Sequence, residues 1–409
     1  MYLMWLGYRN VLRNRRRSIL MLLGLSIGTA LLIFGMGWVR GYFTTVYRNI
    51  IDFDTGHIQV YHPDFLEEEV RTPLEYSIED YRGWRARLAS LPGVAVAAGR
   101  IEVPARLSWR GRQVYVRLRG IDPPEEARLT TIEGAVVEGA FLVGRSGLLL
   151  GKELADRLGV GVGDPIAVRV MDRYGVENVD VFPVQGLFSF GYPVMDRNMA
   201  FMDLESLQRL LDMGDGVTHL VIRLEPPLPV EKGLLLVSSA LEGSPYRAYR
   251  WEEFAKALVA AVQADSGSFV VFLAILFILT GANILNSFSM SVYERTREFA
   301  TLRAMGMRRA TLRGMILSEA SVLAVGGTIL GWILSAGAVW YLSTQGLDVS
   351  KYLPSDLPMP FGTRFYGDYR WYDFLIAGGF TSLLSWVAAV LPSRRASRLV
   401  IAEALREVR

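Results

Sequence analysis

Four long stretches of this 409-residue sequence contain no charged side chain, and they constrain the fold more than any other feature. The first, residues 18–39, is 22 positions long; the others cover 266–293, 320–347 and 374–393, the last holding Pro392 near its end. A helix needs about 20 apolar residues to cross the hydrocarbon core of a bilayer, so each stretch is expected to span one. Buried helices of soluble proteins are the alternative, but they rarely run so far without a charge. A composition of 51% hydrophobic and 21% charged residues fits a chain that is part membrane and part water-facing domain. Arg9, Arg13, Arg15, Arg16 and Arg17 precede the first stretch, as in a secretory signal. That stretch exceeds the roughly 7–15 residues of a signal core and is followed by no small-residue cleavage pattern, so an uncleaved anchor is expected.

Orientation follows from the arginines near each span, since cytoplasmic segments carry the excess of basic residues. The N-terminus has five arginines. The link after the second span has Arg295, Arg297, Arg303, Arg308, Arg309 and Arg313, and the tail has Arg394, Arg395, Arg398, Arg406 and Arg409. All three belong in the cytoplasm. Between the third and fourth spans, Lys351, Arg364 and Arg370 are balanced by Asp348, Asp356 and Asp368, which places that link outside. The chain is therefore expected to be an α-helical membrane protein with four transmembrane helices and an α+β extracytoplasmic domain inserted between helices 1 and 2. The expected division is 1–17 cytoplasmic, 18–40 first span, 41–265 external domain, 266–293 second span and 294–314 cytoplasmic helix. It continues with 315–345 as third span, 346–372 as external loop, 373–393 as fourth span and 394–409 as cytoplasmic tail.

Within 41–265 the patterning predicts paired strands over 100–109 and 114–120 about a turn at Gly111. It predicts helices over 81–91, 152–158 and 203–211, and strands over 166–171 and 219–224. Pro226, Pro227 and Pro229 break the chain, and a last helix from about 251 to 264 should run into the second span as a stalk. The acidic run 67–69 before Pro73 reads as a solvated loop, or as a protrusion that meets a partner.

Residue inventory narrows the chemistry. With no cysteine, disulfides, thiolate metal sites and cysteine nucleophiles are excluded. The lysines are Lys152, Lys232, Lys256 and Lys351, and none completes a phosphate-binding G-x-x-x-x-G-K-[ST] loop; at Lys152 the first glycine is Ser146 and the hydroxyl position is Glu153. His57, His62 and His219 lack zinc-ligand spacing, and Gly159, Gly161 and Gly163 read as turn glycines. There is no G-x-S-x-G elbow. No catalytic, cofactor-binding or metal residue is assigned, and a net charge of +3 without a basic, aromatic-laced surface argues against nucleic acid.

The segment 294–314 is short, charged and helical in propensity. Phe299, Leu302 and Met305 recur at every third position as an apolar stripe flanked by Arg295, Arg297, Glu298, Arg303, Arg308 and Arg309. Such a helix lies on lipid headgroups, or inserts as a knob into a cytoplasmic partner. Gly24, Gly28, Gly35 and Gly37 in the first span and Gly326, Gly327 and Gly331 in the third suit close helix packing within a permease dimer. Asn283, Asn286 and Glu319 need partners or an interfacial position.

Residues 283–309, NILNSFSMSVYERTREFATLRAMGMRR, resemble the second-span and coupling-helix signature of the FtsX/MacB permease superfamily, continued by Glu319 and by Gly326, Gly327 and Gly331. LPSRRASR at 391–398 and EALR at 403–406 resemble its C-terminal end, with Ile401 where a proline often stands. GHIQV at 56–60, LLGKELADRL at 149–158, VGD at 162–164 and VQGLF at 184–188 resemble the LolC/LolE lipoprotein-releasing branch. The resemblance implies a non-catalytic ABC permease subunit in the cytoplasmic (inner) membrane with its large domain in the periplasm. Its partners would be two copies of a separate P-loop ATPase, which binds ATP and Mg, and a second permease in a homo- or heterodimer. Membrane lipid and a lipoprotein substrate complete the set, the lipoprotein being squeezed outward by motion of the stalks and external domain. It implies coupling to the ATPase through Glu294, Arg295, Arg297, Glu298, Phe299, Leu302, Arg303, Met305, Gly306 and Met307. Acyl chains entering between spans would meet Phe34, Met36, Trp38, Phe43, Phe269 and Phe272, which can equally face lipid. The alternatives are an FtsX-like regulator of a cell-wall hydrolase and a MacB-like peptide or drug exporter.

Overall fold

A computed structural model describes residues 2–13, 15–67, 72–142, 144, 147–191, 193–348 and 364–397. Lys351, the acidic positions 68 and 69, and the motif residues from 398 onward lie outside them. The chain divides into two compact units: Met1–Thr44 with Ala261–Val349 and Arg364–Arg409, and Thr45–Ala260 with Ser350–Thr363.

The helical unit is built on α1 (Tyr2–Arg13), α2 (Arg15–Ile50), α3 (Lys256–Glu294), α4 (Thr296–Ala304), α5 (Arg309–Thr344) and α6 (Trp371–Ser397). Four segments, Arg15–Thr55, Val262–Glu294, Arg309–Thr344 and Trp371–Ser397, are long and apolar enough to cross a membrane. At about 1.5 Å per residue, the 36 residues of α2 and the 39 of α3 outrun a hydrocarbon core of about 30 Å. The helix expected from about 251 starts at Lys256, after a separate turn at Trp251–Glu253, and is continuous with the second apolar run as α3.

Small and hydroxylated residues bring these helices together. A Cβ on Gly28 would come within 2.7 Å of Thr280, and one on Gly331 within 2.7 Å of Thr29. These glycines therefore seat neighbouring helices of the same chain, where the sequence suggested a dimer. Thr29 Oγ1 donates to the Leu25 carbonyl (2.8 Å) and lies 3.1 Å from Thr381 Oγ1, a cross-helix polar contact of the kind that apolar surroundings favour. Residues 2–13 are a helix rather than a plain N-terminal extension: Gly7 lies against the Ser318–Glu319 backbone, and Ser18 Oγ donates to the Val11 carbonyl (2.8 Å).

The second unit is a mixed sheet of ten strands: β1 (Ile58–Tyr61), β2 (Val94–Trp109), β3 (Arg112–Ile121), β4 (Val136–Gly139), β5 (Leu148–Gly151), β6 (Pro165–Met171), β7 (Glu177–Phe188), β8 (Met199–Asp203), β9 (His219–Leu224) and β10 (Arg247–Arg250). The order is β10-β1-β9-β2-β3-β8-β5-β7-β4, with β6 paired to β2 and β7. β3 with β8 and β5 with β7 run parallel, and the other pairs antiparallel. The predicted hairpin turns at Arg110 and Gly111, both at positive φ (44° and 82°), the backbone that a two-residue turn between twisted strands requires. The predicted helix over 152–158 is Lys152–Leu158, closed by Gly159 in the left-handed region, and Asp203 caps Leu204–Leu211 through Ser206 N. Beyond the three prolines the chain re-enters a helix, Val230–Ala240, whose N-cap is Pro229.

Candidate functional site

The short helix α4 owes its shape to its ends. Gly306, at φ 95°, follows the C-cap; its N–H donates to the Arg303 carbonyl (3.1 Å) and the Met307 N–H to the Leu302 carbonyl (3.1 Å). This is a Schellman closure, in which Leu302 and Met307 pack beside the same apolar cluster. Phe299 is the anchor, 1% exposed among Val292, Leu312, Met315 and Ile316. The spacing predicts Met305 on the same stripe, but the helix ends at Ala304, so Met305 turns outward and is 72% exposed. The expected helix over 294–314 is likewise divided, because Arg309 already opens α5. Glu294, Arg297, Glu298, Met305 and Gly306 are exposed, while Arg295 is buried and Arg303 donates to the Met307 carbonyl (2.9 Å).

Behind this turn is an ionic hub. Arg295 donates to Glu319 Oε2 (2.7 Å) and Glu298 Oε2 (2.9 Å) and stacks over Phe299. Arg17 reaches Glu319 (3.4 Å) and Glu294 (4.0 Å), and Arg13 reaches Glu298 (3.6 Å). Burial works against the Arg295 charge, but Glu319 and Glu298 more than offset it and raise its pKa. Glu319, expected at an interface or in a helix contact, is thus the acceptor that joins α2 and the α3–α4 junction to α5.

Of the proposed lining residues, Phe34 and Trp38 stack (6.1 Å between centroids) and Phe43 meets Phe269 edge-on (5.5 Å). Tyr42 and Phe365 complete the ring array: Tyr42 contacts Phe43, Phe269 and Phe365, and Trp38 also contacts Phe365. Met36 instead packs inward beside Leu32, Ile33 and Ala377, and Phe272 is exposed without belonging to the array. At the same end of α2, Arg40 makes a two-pronged bond to the fully buried Asp373 (2.8 and 2.9 Å), fixing α2 to the start of α6.

The sheet unit holds a second charged cluster that the sequence did not single out. Residues Ile51–Thr55 form a π turn at the end of α2, closed by Gly56 N–H to the Ile51 carbonyl (3.0 Å). Arg119 pairs with Asp54 (2.6 Å) and with Glu102 (2.5 Å). Arg100, fully buried, binds Glu126 with two nitrogens (3.0 and 2.5 Å) and donates to the Asp54 carbonyl. Arg223 pairs with Asp52 (2.8 Å) and donates to the Leu129 carbonyl (2.7 Å). Burial pushes Glu102 up, but Arg119 and Arg117 outweigh it and hold its carboxyl below the usual range. The signal was present as charges at alternate positions, 100 and 102 on β2 and 117 and 119 on β3.

The histidines are parts of this domain's packing. His219 stacks on Tyr61 (4.7 Å) and shares a bond with Thr218, His57 Nδ1 accepts the Leu224 N–H (3.3 Å), and His62 stacks on Tyr76 (5.3 Å). A cleft of about 470 Å³ opens beside His219, lined among others by Tyr61, Phe65, Pro104, Tyr115 and Arg117.

Comparison with known proteins reaches both parts of the chain. The model of the MacB-like periplasmic core domain covers residues 18–232, and that of the FtsX-like permease C-terminal region covers residues 270–401. The lipoprotein-releasing system transmembrane protein LolC of Xylella fastidiosa is 28% identical over 77% of this chain and 78% of its own length. LolC of Neisseria meningitidis is 23% identical over 98% of both chains. The macrolide export ATP-binding/permease protein MacB of Bdellovibrio bacteriovorus is 22% identical over 98% of this chain and 61% of its own. With four helices among the described residues long and apolar enough to cross a membrane, a sheet domain following the first in sequence, and family models matching both parts, the chain belongs to the FtsX/MacB superfamily of permeases that carry a MacB-like periplasmic core domain.

Proposed function

We propose that this chain is the permease subunit of an ABC transporter that releases lipoproteins from the inner membrane toward the outer membrane. The observation that carries this reading is the similarity to LolC along nearly the whole of both chains. In this reading a separate P-loop ATPase, two copies per transporter, binds ATP and Mg, and this chain pairs with a second permease. The sheet domain lies in the periplasm. The ATPase receives the turn after α4, where exposed Met305 and Gly306 form a tip fixed from behind by Phe299 and by the Arg295–Glu319 hub. Lipoprotein acyl chains meet the rings of Phe34, Trp38, Phe43 and Phe269. Peptide or drug export is a second reading, favoured by the likeness to MacB.

The test is gentle purification of tagged protein, with mass spectrometry of what accompanies it and an ATPase assay. A P-loop ATPase whose activity no longer supports release when Met305→Arg is introduced, and a co-purified lipoprotein, are the expected results. Depletion that changes drug sensitivity while lipoproteins leave the membrane normally would sink lipoprotein release in favour of export.

A further inference from the structure

The turn that ends α2 is bound to the sheet domain by several polar contacts. Within five residues, Ile51–Thr55, the backbone and side chains of Asp52 and Asp54 engage Arg223, Arg100 and Arg119, and the Asp52 carbonyl accepts the Thr131 N–H (3.0 Å). Gly56 follows at φ 60°, where a Cβ would come within 2.5 Å of Val221, so this turn is seated directly on β9. The arginines are themselves fixed: Arg100 by Glu126, whose Oε1 also accepts from Thr130 (2.9 Å), and Arg119 by Glu102. The segment just before α3 is held differently: Trp251 follows β10, donates its N–H to the His57 carbonyl (3.3 Å) and packs against Tyr47 (5.4 Å), and Phe254 stacks on Tyr61 (5.0 Å). Ring contacts add modestly to what their buried area contributes, whereas the charge-assisted bond from Arg223 to Asp52 is directional and the close ion pair of the buried Arg119 with Asp54 adds charge attraction.

We propose that Asp52 and Asp54 are positioning residues for transport, which make the last turn of α2 a rigid part of the sheet so that movement along this helix reaches the domain without slack. The proposal rests on the transporter reading above. A helix joined to its load through a compliant turn dissipates displacement in that turn; one joined through four bonded arms delivers it. Removing the two carboxylates leaves the backbone arms at Arg100 and Thr131 in place, so the turn is loosened rather than detached.

The experiment uses the complete transporter in proteoliposomes, with ATPase rate, lipoprotein release and thermal midpoint measured together. Asp52→Asn with Asp54→Asn is expected to lower release about tenfold while the ATPase rate stays within about twofold, the size of effect found when coupling between distant sites is weakened. Asp54→Glu, which keeps the charge, retains most of the release. Because the chain has no cysteine, Asp52→Cys with Thr131→Cys places a single pair where the two backbones already bond. In the Asp54→Asn background, oxidation of that pair is expected to restore release and reduction to abolish it again. Normal release by the double Asn variant overturns the clamp while leaving the transporter reading intact. A parallel fall of ATPase rate, release and thermal midpoint, not reversed by the disulfide, overturns it as well, by reducing the cluster to a structural role. Absence of ATP-dependent release by the unmodified complex sinks the transporter reading itself.

Discussion

The two compact units handle buried charge in opposite ways. In the sheet unit, Arg100 and Glu126 are sealed in the interior, with side chains 1% and 2% exposed, and Arg119 is nearly as buried. In the helical unit, the paired charges flank the uncharged runs: Arg17, Arg295 and Glu319 on one side, Arg40 and Asp373 on the other. The long apolar middles leave no room for ions, because an ion in hydrocarbon has neither water nor partner. In both units, however, the ion pairs stand where one chain segment hands over to another: the turn after α2, the break between α3 and α4, the start of α6. Removing one member of a buried pair does more damage than the pair's net worth, since the survivor remains charged and unsolvated.

That contrast can be broken by substitution. The largest effect is expected for Glu126→Ala, which strands Arg100 in the sheet interior and should destabilise the protein by about 3–5 kcal/mol. Thermal unfolding and limited proteolysis in detergent measure it, and a loss within experimental noise would mean that Arg100 finds water or another partner. Glu319→Ala should be milder, about 2–3 kcal/mol, because Arg295 keeps Glu298 and Arg17 keeps Glu294. A Glu319 loss exceeding that of Glu126 would reverse the comparison.

A pH titration sharpens it further. Burial first, then the neighbouring Arg100 and Arg119, hold the His219 imidazole well below its ordinary 6.5, so the folded protein keeps it neutral where the unfolded chain takes up a proton. Stability from this source is complete above pH 6.5 and is lost as pH falls below it, by at most about 1.4 kcal/mol per pH unit for one group. His57, lowered by burial and by Arg223, adds in the same direction. The thermal midpoint of the full chain should therefore fall between pH 7.5 and 5.5, and less steeply in a His219→Gln variant; a rise on acidification contradicts the assignment.

The smallest stability change belongs to the turn after α4, proposed above to meet the ATPase. Met305→Arg alters an exposed side chain and should move stability by no more than about 0.5 kcal/mol. Gly306→Glu adds about 1 kcal/mol, because φ 95° disfavours a side chain. Both should nevertheless separate ATP hydrolysis from transport, which is read by comparing ATPase rate with lipoprotein release; normal release by either variant removes the turn from the coupling path.

Much of this is legible in the sequence. Long uncharged runs set the four helices, and local turn chemistry set the Arg110–Gly111 hairpin and the Lys152–Leu158 helix. What was missed lacked a local signature. Short strands such as Leu148–Gly151 and Met199–Asp203 are buried on both faces and show no alternation. Val230–Ala240 was hidden by the prolines before it. Met305 left the predicted stripe because a glycine closure ended the helix one residue earlier.

Sequence alone determined the membrane character, the inserted domain, the expected orientation and the family resemblance, because hydropathy and arginine placement act locally and survive averaging along the chain. Only the tertiary structure decided which charges meet. Arg100 and Glu126 are 26 residues apart, Asp52 and Arg223 are 171, and Arg17 and Glu319 are 302. No periodicity encodes such pairs; they form because folding removes the groups from water, and each charge is stable there only beside its partner.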